Sequence, residues 1–197
     1  MHKNPSVSKF LKDLLLTSSL DWTVKLWNTS EQAFGEPLLE LVSPTYDYVC
    51  DVKWSPVNSS LFATITSGGM LTLWDLSRSV LEPQDSLHIL KESYSSSQGL
   101  YALNKLTWSI DGMSIHVGDT NGNVQMLSVK ESCARGRPGD GGRAESAIAS
   151  KRSSGGVVSA SEYMDDNSVD VEVEASVESG SYGDSSSLLS AVTRHET

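Results

Sequence analysis

A strand unit recurs along this chain, in the same order each time. Val49-Cys50-Asp51-Val52-Lys53-Trp54-Ser55 is matched by Leu103-Asn104-Lys105-Leu106-Thr107-Trp108-Ser109. Leu61-Phe62-Ala63-Thr64-Ile65-Thr66 is matched by Met113-Ser114-Ile115-His116-Val117-Gly118. Gly69-Met70-Leu71-Thr72-Leu73-Trp74-Asp75-Leu76 is matched by Gly122-Asn123-Val124-Gln125-Met126-Leu127-Ser128-Val129. Upstream, Leu14-Leu15-Leu16-Thr17-Ser18-Ser19 and the alternating Thr23-Val24-Lys25-Leu26-Trp27 read as two more strands. Period-two alternation is what a two-faced strand requires. Leu20-Asp21-Trp22 between them is short enough for a hairpin turn. Trp54 and Trp108 stand 54 residues apart, and Trp27 and Trp74 stand 47 apart. Units of that length with several strands bury their faces by stacking on one another.

Ser19-Leu20-Asp21-Trp22-Thr23-Val24-Lys25-Leu26-Trp27-Asn28 matches the ending of a WD repeat, with Asn28 in place of the final Asp; Trp74-Asp75 repeats that ending in full. The expected fold is therefore all-β: a partial WD40 β-propeller of about two and a half blades of four-stranded antiparallel sheet. Labelled a to d from the axis outwards, the first unit supplies b (about 14–19), c (23–28) and a weak d (38–42). The second supplies a (48–55), b (61–66), c (70–76) and d (86–90), and the third supplies a (103–109), b (113–118) and c (123–129). No fourth strand is expected after Val129. A propeller takes roughly 4–8 blades, so the expectation is a piece of a longer protein or a shortened gene product.

Composition breaks near residue 130. Of the 25 acidic and 15 basic residues, 131–197 hold 12 and 6, together with 15 of the Ser residues and no Trp or Phe. All five Trp lie earlier. The expected division is a flexible N-terminal segment (1–10), blades (11–130) and a disordered Ser/Gly-rich acidic tail (131–197). No run of 18 apolar residues exists to cross a membrane. A net charge of −10 argues against sequence-independent nucleic-acid binding, which needs clustered Lys and Arg. Cys50 and Cys133 are too far apart in sequence to read as a disulfide framework.

No catalytic, cofactor or metal constellation is legible. His2, His88, His116 and His195 are scattered, and Cys50 has no second thiolate at ligand spacing. Gly139-Asp140-Gly141-Gly142 is expected to have neither a strand before it nor a helix after it, which excludes a phosphate loop. Ser159, three residues before Glu162, and Ser161 beside it suit an acid-directed kinase. Asp21, Trp27, Trp74 and Asp75 are expected to serve the structural hydrogen bonding of WD repeats. Trp22 is different, because an exposed turn aromatic is a candidate partner contact. Tyr46, Tyr48 and Tyr101, each just before a strand a, are expected to join it in a rim.

The segments Leu16 to Trp27, Asp47 to Pro56 with Leu61-Phe62-Ala63, Ala102 to Trp108 and Val117 to Gly122 resemble, in order, the last blades of cytoplasmic dynein intermediate chains. The resemblance covers about residues 11–130, and axonemal intermediate chains are similar as well. It implies a non-catalytic subunit with no cofactor, in the cytoplasm on the cytoskeleton, whose propeller binds the dynein heavy chain. In that family an upstream region, absent here, binds light chains and dynactin. The rival expectation is an unrelated WD40 adapter, such as a ubiquitin-ligase substrate receptor.

Overall fold

The computed structural model describes residues 1–6, 10–30, 36–90, 102–153 and 175–176. Its strands are β1 (His2–Lys3), β2 (Leu14–Ser18), β3 (Thr23–Asn28), β4 (Leu39–Val42), β5 (Val49–Trp54), β6 (Leu61–Thr66), β7 (Met70–Asp75), β8 (Asp85–His88), β9 (Leu103–Trp108), β10 (Ser114–Asp119), β11 (Val124–Ser128) and β12 (Ala175–Ser176). They form three four-stranded antiparallel sheets, ordered β1-β2-β3-β4, β5-β6-β7-β8 and β9-β10-β11-β12. Three successive meanders of this kind are the blade unit of a β-propeller.

The repeated pattern explains the packing. In the middle sheet, register sets Trp54 opposite Phe62 and Phe62 opposite Trp74. Trp54 meets Phe62 edge-on at 5.2 Å, and Phe62 stacks on Trp74 at 6.1 Å. These rings face the first sheet and share its core with Leu14, Leu16, Leu26 and Leu41. One residue over, Ala63, Ile65, Leu71 and Leu73 face the third sheet and pack with Leu106, Ile115, Val117 and Leu127. Every residue of β6 is buried, because this sheet is covered on both faces.

Backbone and side-chain donors stitch neighbouring sheets near their inner strands. Trp54 N–H donates to His2 Nδ1 at 3.0 Å, and Asn4 Nδ2 donates to the Ser59 carbonyl at 2.8 Å. At the second seam, Leu106 N–H donates to Asp51 Oδ2 at 3.2 Å and Trp108 Nε1 donates to the Lys53 carbonyl at 3.1 Å. Asp51 is buried, so its carboxylate works as a fixed acceptor between blades.

Three expectations are corrected. The first residues are not a loose segment: His2–Lys3 pairs with Leu15 and Leu16 and supplies the innermost strand of the first sheet. Two residues are too few to show periodicity. A fourth strand does join the third sheet, through Ala175–Ser176 against Met126 and Leu127. Finally, residues 131–153 are folded, with helices α1 (Glu131–Ala134) and α2 (Asp140–Ser153). A helix therefore does follow Gly139. Ala144 and Ile148, one helical turn apart, are buried against the first core beside Leu11 and Val80. Asn58 Nδ2 holds the preceding turn through the Cys133 carbonyl at 3.0 Å. The Gly-rich, charged composition hides a helix that needs only a narrow apolar edge to dock.

Candidate interaction surface

Each sheet turns from its second to its third strand through the same short loop. One residue near its end, two positions before Val24, Leu71 or Val124, adopts the left-handed backbone conformation: Trp22 (φ +69°), Gly69 (φ +94°) and Gly122 (φ +85°). Glycine takes this conformation without steric cost, whereas an L side chain loses roughly 1–2 kcal/mol. Two blades use glycine there and the first uses tryptophan.

The loop around Trp22 is held by polar side chains. Asp21 Oδ1 accepts from Thr23 N–H (3.1 Å) and from the Thr23 hydroxyl (2.6 Å), while Lys25 Nζ lies 3.2 Å from Oδ2. Ser19 Oγ accepts from Asp21 N–H at 3.2 Å. The Thr23 hydroxyl is the main cause that holds the Asp21 carboxyl at about 2, against burial that would raise it. Ser43 N–H donates to the Trp22 carbonyl at 2.7 Å, which brings the β4–β5 loop onto the hairpin.

Tyr46 in that loop is also left-handed, with φ +52°. Its ring stands perpendicular to Trp22, with centroids 6.2 Å apart. Trp22 remains 44% exposed and Tyr46 50%. Leu20 (69%) and Tyr48 (51%), in the same two loops, are exposed as well. The Tyr48 carbonyl accepts from Ser67 N–H at 2.9 Å, which ties it to the next turn. Large apolar groups in solvent and two bulky residues in a costly conformation occur together here. Trp22, Tyr46 and Tyr48 thus lie at one end of the first two blades; Tyr101 lies outside the described residues.

The four WD-ending residues occupy separate local groups. Trp27 Nε1 donates to Thr17 Oγ1 at 2.9 Å, and Trp74 Nε1 donates to Thr64 Oγ1 at 3.3 Å. Asp21 belongs to the turn, apart from Trp27. Asp75 Oδ1 accepts from the Ser77 N–H (2.9 Å) and hydroxyl (2.7 Å). Asn28 Oδ1 accepts from Ser30 in the same way, at 2.9 and 2.7 Å, so the change from Asp to Asn keeps the turn. Sequence reasoning missed Asp51 and His2, whose inter-sheet partners are 52 or more residues away and leave no local pattern.

Among the described residues, no group of three or more His, Cys, Asp or Glu could hold a metal ion, and no helix is long and apolar enough to cross a membrane. Cys50 and Cys133 are free.

No family model matches the chain. The cytoplasmic dynein 1 intermediate chain of Drosophila melanogaster is 36% identical to it over 122 residues. That match takes in 62% of this chain and 17% of the relative, so the chain spans under a fifth of the relative's length. Among solved structures, the WD40 domain of a coronin from Toxoplasma gondii is similar, with 20% identity and a TM-score of 0.49 over 61% of this chain and 29% of that one. The three meander sheets are propeller-type blades, the first two with a tryptophan near the end of the third strand (Trp27 and Trp74), and the chain is similar in sequence to a cytoplasmic dynein 1 intermediate chain.

Proposed function

We propose that this chain is the blade region of a dynein intermediate-chain subunit, a non-catalytic scaffold in microtubule-based transport. The observation that carries this reading is the 36% identity to a cytoplasmic dynein 1 intermediate chain over 122 residues. On this reading the chain works in the cytoplasm on the cytoskeleton, and its partner is the dynein heavy chain. Light chains and dynactin engage a region outside this sequence. The Trp22–Tyr46 pair with Leu20 and Tyr48 is the contact surface. It is aromatic, exposed and prefixed by its backbone, which lowers the entropy lost on docking.

The test is affinity purification of the tagged full chain from a cell extract, with and without Trp22→Ala. Dynein heavy chain is expected with the wild type, and at least about fivefold less with Trp22→Ala, as for loss of a hot-spot aromatic. Recovery of a cullin-type ligase without dynein would replace the reading by that of a ubiquitin-ligase adapter. Unchanged heavy-chain recovery by a folded Trp22→Ala would move the interface elsewhere.

A further inference from the structure

Away from the aromatic end, a polar cavity of about 230 Å³ opens between the turn after β7 and the segment that leads into α2. It is lined by Asp75, Ser77, Arg78, Ser132, Arg137, Asp140 and Arg143. Three guanidinium groups thus meet two carboxylates and two hydroxyls.

The carboxylates are already engaged. Asp75 accepts from Ser77, and its Oδ2 lies 3.6 Å from Arg78 Nε. Asp140 accepts from Arg137 N–H and from Arg143 Nη2. Both are buried, and they act as the frame that holds the loop to the turn. The arginines are far from saturated. Each guanidinium carries five N–H donors. Arg78 uses Nε, and Arg143 uses Nη2 towards Asp140 and the Pro138 carbonyl. The Arg137 side chain lines the cavity with its guanidinium uncommitted, because its bond to Asp140 is made by the backbone N–H. The cavity therefore holds one net positive charge and a surplus of planar donors, the arrangement that recognises a phosphate oxyanion.

We infer that this cavity binds a phosphate group, taken between Arg78, Arg137 and Arg143 with the Ser132 hydroxyl beside them. The donors are side chains; the first turn of α2 already has Asp140 as its anion, so the helix end is not the recognition element. The phosphate could be carried by a phosphoserine or be free, and the chain itself contains a candidate donor in Ser161, followed by Glu162. This inference is independent of the dynein reading, since no residue of the cavity belongs to the aromatic surface.

The experiment is isothermal titration calorimetry on the full chain at constant ionic strength. Three ligands are compared: inorganic phosphate, a peptide of residues 157–166 phosphorylated on Ser161, and the same peptide unphosphorylated. Binding of phosphate or of the phosphopeptide, and not of the plain peptide, is expected. A phosphopeptide tighter than inorganic phosphate identifies a phosphoserine ligand; equal or weaker binding identifies free phosphate. Arg137→Gln keeps the backbone bond to Asp140 and should raise Kd about tenfold or more, the worth of one charge-assisted contact. Arg135→Gln removes an equal charge, paired with Glu131 outside the cavity, and should change Kd less than about twofold. Absence of binding by both phosphorylated ligands, or equal losses in the two variants, would overturn the inference.

Discussion

At the scale of single residues, position 22 sets contact against stability. Gly69 and Gly122 show what the turn prefers, and Trp22 departs from it while leaving its ring in solvent. Trp22→Gly should therefore fold at least as stably as the wild type, gaining up to about 1 kcal/mol from relaxed backbone strain. Urea denaturation checks this, and a loss beyond about 1 kcal/mol would mean that the ring's contact with Tyr46 outweighs the strain. Asp21 and His2 are both held below their ordinary values in the fold, so both make stability fall as pH falls. Asp21 titrates at about 2 in the fold, below its ordinary 3.8, so its contribution is present above 3.8 and is lost as pH falls towards 2. Asp21→Asn should flatten the fall in unfolding midpoint over that window. His2 is held below its ordinary 6.5, chiefly by burial and then by Lys53, with Asp51 opposing and the N-terminus adding to the shift. Its Nδ1 must stay unprotonated to accept from Trp54 N–H. The unfolded chain takes up the proton first, so stability is complete above 6.5 and declines below it. His2→Gln should remove this decline below 6.5, as read from urea midpoints.

At the scale of elements, the three sheets show one design with one substitution of chemistry. Trp27 with Thr17, and Trp74 with Thr64, each tie a third strand to a second. The same register in the last sheet holds Leu127 opposite Ile115, with Val117 at the place of the threonine. Donor and acceptor have been lost together, which leaves no orphaned group and costs little. Removing only one partner is different. Thr64→Val should strand the buried Trp74 Nε1 and cost about 1–3 kcal/mol, while Thr17→Val, beside the half-buried Trp27, should cost less than about 1 kcal/mol. Denaturation of the two variants side by side decides this. The strands were legible because β2, β3, β5, β6, β7, β9, β10 and β11 are short apolar or alternating runs between turn residues. The Trp22 turn was legible too, because an aromatic stands where its sister loops carry glycine.

At the scale of the molecule, the cores lie between sheets, so each blade is stable only against its neighbours. Helix α2 extends this rule, because Ala144 and Ile148 close the edge of the first core. Ile148→Ala should cost about 2–4 kcal/mol, as a truncation in a packed core does, and a chain ending at Lys130 should unfold at lower urea still. A midpoint unchanged by both would mean that α2 rests on the blades without supporting them. The sequence by itself determined the blade type, the strand order and the odd tryptophan, because alternation, repeat spacing and turn chemistry are local and survive being read in one dimension. Only the tertiary structure decided that His2 completes the first blade, that Asp51 bridges two others, that residues 140–153 pack as a helix and that three arginines from distant segments share a cavity. Each depends on partners brought together across sheets, and a long-range contact leaves no periodic trace in either of the segments that make it.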